Sequence, residues 1–290
     1  MTDDHRGARI IGMTALSRST AISGRALAVF GALTVALGVA FVVGPLALAA
    51  IRPGGGFADQ PAIVSALRSA FVDYWDSGNR SFPGNLARVT DYWSGYHVAK
   101  AGIAALLLIV LVALAVRLWK GLLGAGEFGP GRKAVLASGW FLVLMLALAS
   151  AVLVTVNIQG AIVPFSSLIT MLPLGAGNGR LTSAVDQVRQ QLSAGGRTSP
   201  ALEVMVSDFA RYHAVLAVLA GIVALVLVGM SVVSWRRFRA VGDRWTRSVL
   251  GSLGGLSVLS ALVLIVVVAA NVGVAADPAP ALAAFFNGGW

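Results

Sequence analysis

Five stretches of this chain are long and uncharged enough to cross a lipid bilayer: Ala26–Ile51, Ala101–Val116, Ala134–Val156, Ala214–Trp235 and Ser248–Asn271. A helix rises 1.5 Å per residue, so a hydrocarbon layer of roughly 30 Å needs about 20 apolar residues. The second stretch is short between Lys100 and Arg117, but both cations can snorkel, and a helix from about His97 to Trp119 spans comfortably. Composition agrees: the chain is 57% hydrophobic and only 12% charged, where a soluble domain covers its surface with charge at about a quarter of its residues. The expected fold is an all-α polytopic membrane protein with five transmembrane helices.

The placement of charge predicts how the spans are oriented. The basic residues Arg6, Arg9, Arg18 and Arg25 lie before the first span; Arg117, Lys120, Arg132 and Lys133 lie in the second connection; Arg236, Arg237, Arg239, Arg244 and Arg247 lie in the fourth. Only Asp3, Asp4, Glu127 and Asp243 oppose them there. The two long connections and the C-terminal segment are nearly balanced, so the positive-inside rule puts the N-terminus in the cytoplasm and the long loops and C-terminus outside. The net charge of +10 is then mainly an orientation signal and a contact with lipid head groups, and no nucleic-acid partner is expected. The first span, with uncharged residues from Ala26 to Ile51, is too long for a cleaved signal core and is expected to remain as an anchor. With no cysteine in the chain, disulfides do not order the outer loops. The Arg-, Ala-, Gly- and Val-rich composition suits a bacterial origin, with the cytoplasmic membrane as the expected location.

Self-comparison adds a second constraint. Shifted by 117 positions, Gly78, Arg80, Pro83, Val89 and Asp91 fall on Gly195, Arg197, Pro200, Val206 and Asp208. After one deleted residue Tyr96-His97 matches Tyr212-His213, and further on Asn157 and Pro164 match Asn271 and Pro278. The expected organisation is a basic cytoplasmic tail (1–25), a lone first helix (26–51) and two tandem units, 62–178 and 179–290, each with an external helical hairpin and two spans. Two spans per unit keep both copies in one orientation, related by an axis along the membrane normal.

Within the outer segments, Ile63, Leu67, Phe71 and Trp75 form one apolar stripe, and Leu181, Ala184, Val185, Val188 and Leu192 form another. Each predicts an amphipathic helix of about three turns, ended by Gly78 or Gly195-Gly196. A second helix starts at Ser199-Pro200, a cap followed by a first-turn proline, with Ser81-Phe82-Pro83 as the looser counterpart. Together these make a small helical cap outside the membrane. The uncharged stretch 157–179, broken by Pro164, Pro173, Gly175 and Gly177, reads as interfacial or re-entrant rather than as a sixth span. The segment Ala279–Trp290, with Phe285 and Phe286, is its counterpart and suits an interfacial aromatic belt.

Few residues are candidates for chemistry. His97 and His213, with Asp91 and Asp208, are duplicated near the outer boundary and have the right types for a metal site, but each histidine lacks a partner ligand at short spacing, and amphipathic anchoring is the simpler expectation. Arg80 with Asp91, and Arg197 with Asp208, keep one spacing and are expected as salt bridges, the alternative being an outward arginine for a phosphate or carboxylate. Asn157 and Asn271 lie where the third and fifth spans emerge, and are expected to cap helix ends or bond between helices. Gly251, Gly254 and Gly255 allow close helix packing. No ionisable residue sits in the middle of a span, where ion-coupled transporters place them, and no nucleotide, hydrolase or zinc-protease motif occurs. No catalytic residue, metal or cofactor is expected. These features point to a non-enzymatic accessory, scaffold or assembly subunit of an envelope complex, with membrane lipids and other membrane or envelope proteins as partners. The alternative is a permease-like protein for a neutral solute or lipid.

Overall fold

The computed structural model describes residues 24–51, 56–123, 129–175, 179–194 and 198–289. Among them the chain is helical throughout: α1 Gly24–Ala50, α2 Gln60–Ser77, α3 Gly84–Leu123, α4 Pro130–Ile162, α5 Pro164–Ile169, α6 Arg180–Ala194, α7 Pro200–Ala240, α8 Arg244–Ala276 and α9 Pro278–Phe286. Five of these, α1, α3, α4, α7 and α8, are long and apolar enough to cross a membrane. Among the described residues the segment after Asn157 holds no sixth: α4 runs on to Ile162, and α5 is only six residues long.

Helix ends follow local chemistry. Asp59 caps α2, its carboxylate accepting from the Ala62 amide at 2.8 Å. Gly78 ends the same helix at φ +63°, the left-handed conformation that favours glycine. Ser199 caps α7 by accepting from the Leu202 amide, with Pro200 as first helical residue. Asp243 does the same for α8 through the Thr246 amide at 2.8 Å. The long helices α3 and α7 contain 40 and 41 residues. At 1.5 Å per residue each is about 60 Å long, twice the hydrocarbon thickness. Their N-terminal quarters therefore extend past the apolar runs, and the polar residues there become part of the cap.

The described residues form two compact units. One takes its residues from Met1–Ala36 and Leu107–Leu148, the other from Leu37–Leu106 and Ala149–Trp290. In the first, Arg117 lies over the Phe30 ring at 5.1 Å, Trp119 and Trp140 pack at 5.3 Å, and Leu111, Leu114, Leu118 and Val143 are buried.

The second unit holds the cap and its core. The predicted stripes point inward: Ile63, Leu67, Phe71 and Trp75 of α2, and Leu181, Ala184, Val185 and Val188 of α6, are all buried. They meet Leu86, Val89 and Tyr92 of α3, Phe165, Leu168 and Ile169 of α5, Leu202 and Met205 of α7, and Leu282, Phe285 and Phe286 of α9. Burial of each large side chain stabilises the fold by about 1.5–3 kcal/mol, so this core is what orders a cap without disulfides. Phe285 and Phe286 depart from expectation. They close the cap core instead of lying in an interfacial belt, because the nine residues of α9 pack against α6, α7 and α8. Trp290 lies outside the described residues. Between α7 and α8 the glycines permit close approach: a side chain at Gly254 would meet the Trp235 indole nitrogen at 3.3 Å, and the Gly254 carbonyl accepts from Ser231 Oγ.

Candidate functional site

Four of the polar residues singled out in the sequence form two pairs between helices. His97 on α3 and Asn157 on α4 lie with Nδ1 and Oδ1 2.9 Å apart. His213 on α7 and Asn271 on α8 repeat this at 2.7 Å. In each pair the asparagine Nδ2 donates one turn back within its own helix, to the Leu153 carbonyl at 2.7 Å or to the Val267 carbonyl at 2.8 Å. The amide oxygen thus faces the imidazole and accepts from Nδ1–H. Asn157 is 4% exposed. His97 Nε2 is buried and has no hydrogen-bond partner among the described residues. The His97 ring lies against Gly160, where an added Cβ would come within 2.8 Å of three ring atoms. The ring is held by aromatic edges as well, from Trp93 at 4.8 Å and Tyr96 at 5.6 Å. His213 is held alike, by Phe209 and Tyr212.

Around the first pair, three more bonds join α3 to α4 and α5. Ser94 Oγ donates to the Ala161 carbonyl at 2.9 Å, Trp93 Nε1 to Ser167 Oγ at 3.1 Å, and Ser150 Oγ to the Ala104 carbonyl at 2.8 Å. Gln159 Nε2 reaches in the other direction, to the Tyr212 carbonyl on α7 at 2.9 Å. The residues after Asn157 therefore pack between α3 and α7.

Asp208 and Asp91 occupy matching positions in the sequence and different environments in space. Asp208 accepts from Ser166 twice, from the backbone amide at 3.0 Å and from Oγ at 2.8 Å, so its carboxylate holds the first turn of α5. Asp91 is exposed and takes part in no ion pair among the described residues. Arg80 does not pair with Asp91 as its spacing implied. Arg80 bonds to Glu203 in the first turn of α7. The reason is geometric: Arg80 lies in the loop before α3, whereas Asp91 is two turns inside that helix and on its exposed face. Arg197, the other half of that expectation, lies outside the described residues.

The cap halves are joined by further polar bonds that the spacing alone did not reveal. Tyr74 Oη donates to the Ala201 carbonyl at 3.2 Å, Trp75 Nε1 to Gln187 Oε1 at 2.9 Å, and Arg180 reaches Asp76 at 2.8 Å. Burial, with the Asp208 carboxylate as a smaller cause, pushes the Tyr74 phenol up to about 12. Arg189 Nε donates to the Phe286 carbonyl at 2.8 Å and so caps the C-terminal end of α9. An open groove of about 420 Å³ lies along α6 and α7; its one charged lining residue, Glu203, is already bonded to Arg80.

Of the eight residues singled out, four meet as two His–Asn pairs, Asp208 bonds Ser166, Arg80 bonds Glu203, Asp91 stands apart, and Arg197 lies outside the described residues. No group of three or more His, Asp or Glu able to hold a metal occurs among the described residues. The sequence did hold a signal for the pairing, because the two histidine-to-asparagine separations are 60 and 58 residues. Ser166, Glu203 and Gln187 carry no such mark. The apolar long helices, and a site made of bonds between helices, define a multi-pass membrane protein. Comparison with protein-family models, with curated proteins and with solved structures finds no match.

Proposed function

We propose that this chain is a non-enzymatic accessory, scaffold or assembly subunit of a membrane or envelope complex. In this reading it lies in a bacterial cytoplasmic membrane with its N-terminus inside, its cap outside, and two tandem copies of one two-span unit after the lone first helix. The observation that carries it is the use of polar side chains. His97, Asn157, His213, Asn271, Asp208, Ser166, Arg80 and Glu203 all bond one helix to another or position a helix end, which builds a rigid frame rather than a reacting centre. Retention of the His–Asn tie in both halves supports the same view, since a unique active site needs it only once. The seam between the halves is filled by Tyr74, Phe82, Phe165, Ala201 and Leu202, a packing that weighs against a solute path there and so against the permease alternative.

Co-purification in a mild detergent, from cells expressing the tagged chain at its natural level, tests the proposal. Recovery of the same membrane or envelope protein in independent preparations is the expected result; a chain that always isolates alone would refute it.

A further inference from the structure

The first helix is the one element left outside the two copies, and the cap-side end of α3 is shaped to receive it. Lys100 Nζ lies over the Phe41 ring of α1 at 4.6 Å and over Tyr96 at 5.1 Å. It also donates to the Tyr96 hydroxyl at 3.4 Å. One turn along α3, Ile103 approaches Gly44, where a Cβ would sit 3.6 Å from its terminal methyl. Beyond the end of α1, Phe57 packs edge-on against Tyr92 at 4.9 Å and lies beneath the Arg88 guanidinium at 5.2 Å. Arg88, Tyr92, Lys100 and Ile103 thus lie on one side of α3, Lys100 and Ile103 met by α1 and Arg88 and Tyr92 by Phe57 in the connection after it.

The corresponding part of α7 is met differently. There the end of α4 donates Gln159 Nε2 to the Tyr212 carbonyl, and α5 donates Ser166 to Asp208. In the alignment that puts His97 on His213, Lys100 falls on Leu216. The cation is therefore found only in the copy that has α1 beside it. Three helices also share an exit signal, since a proline follows α1, α4 and α8 at Pro53, Pro164 and Pro278. Pro53 itself lies outside the described residues.

We propose that α1 takes, beside α3, the place that the end of α4 takes beside α7, and that it is held there by different contacts, with Lys100, clamped between Phe41 and Tyr96, as the positioning residue that receives it. A cation placed over an aromatic face is attracted by the ring quadrupole, most strongly where water is scarce. At the membrane edge this gives an otherwise lipid-exposed helix a fixed register. The inference rests on the tandem-repeat reading, and it fails separately from it, as the test below allows.

The absence of cysteine makes the test direct. In the full-length chain, Gly44→Cys with Ile103→Cys is oxidised in native membranes, and the disulfide is read as a shift in gel mobility. Ala104→Cys with Ser150→Cys, across a contact that does not involve α1, reports that the α3–α4 packing is intact. The expected result is a high yield for both pairs, a fall of several-fold for the first pair alone when Lys100→Leu or Phe41→Leu is added, and recovery with Lys100→Arg. Phe41→Leu leaves α3 untouched, so a fold defect in the lysine variant does not rescue the proposal. An α1 disulfide whose yield is indifferent to both leucine substitutions, or that never forms while the control pair does, overturns it. The repeat reading is tested apart from this, by whether Asn157→Leu and Asn271→Leu loosen their own helix pairs to a similar extent.

Discussion

His213 Nδ1 lies 2.7 Å from Asn271 Oδ1, and His97 stands in the same relation to Asn157 at 2.9 Å. Each bond joins two long helices where both leave their apolar runs, in surroundings where a lone polar group finds few other partners. Hydrogen bonds between membrane helices are modest, averaging about 0.6 kcal/mol and reaching about 1.7. A double-mutant cycle with His97→Phe and Asn157→Leu should therefore give a coupling energy of about 0.5–2 kcal/mol in detergent unfolding. A value indistinguishable from zero would mean that the two side chains are neighbours without being partners.

Gly160→Ala should destabilise the protein, because its new methyl would collide with the His97 ring at 2.8 Å. Overpacking of this kind costs about 1–3 kcal/mol. Gly273→Ala, on α8, meets nothing within 4 Å and should be neutral or slightly stabilising through helix propensity. Thermal unfolding of the two variants side by side checks the contrast, and equal melting temperatures would count against the close ring contact.

Tyr74 makes the stability of the cap sensitive to alkali. Its phenol is fully buried and raised from 10.0 to about 12 in the fold, so the folded state holds that proton more tightly than the unfolded chain. The stabilisation is complete below about pH 10 and is lost as pH rises through 12. Between those values the native chain should lose stability more steeply than Tyr74→Phe, in denaturant titrations at matched pH. Parallel slopes for the two proteins would show that Tyr74 is not the group responsible.

The Arg80–Glu203 bond should matter little by itself. Its side chains are 68% and 42% exposed, and ion pairs in such positions are screened and worth about 0–1 kcal/mol. Glu203→Ala is expected to shift the unfolding midpoint by less than that amount, and the shift should shrink further at high salt. A loss of several kcal/mol would reveal a larger role for this link between the cap halves.

Orientation can be checked with single cysteines. Ser77, Ser193 and Gly242 are all exposed, and the charge pattern places the first two outside and the third inside. Ser77→Cys and Ser193→Cys should react with a membrane-impermeant thiol reagent added to intact cells, and Gly242→Cys should react only after lysis. The reverse pattern would invert the topology.

Much of this architecture was legible before any fold was known, because its causes are local. A run such as Ala134–Val156 has only one way to satisfy its backbone in lipid, and the period of Ile63, Leu67, Phe71 and Trp75 has only one helical face. Ser199-Pro200 and Gly78 mark helix ends through chemistry that acts within a turn. The similar separations of His97 from Asn157 and of His213 from Asn271 were likewise visible in the sequence.

What tertiary structure alone decided is which of these residues meet. Arg80 left Asp91 for Glu203, 123 residues away, because a partner is chosen by distance in space and the loop points toward α7. Asp208 found Ser166 while its counterpart Asp91 stayed exposed, since only one of the two faces α5. Phe285 and Phe286 went into the cap core rather than to the membrane edge because α6, α7 and α8 stand ready to bury them. Periodicity and charge are properties of consecutive residues and act along the chain; packing joins residues far apart in it, and there the sequence supplies the side chains while the fold selects the pairs.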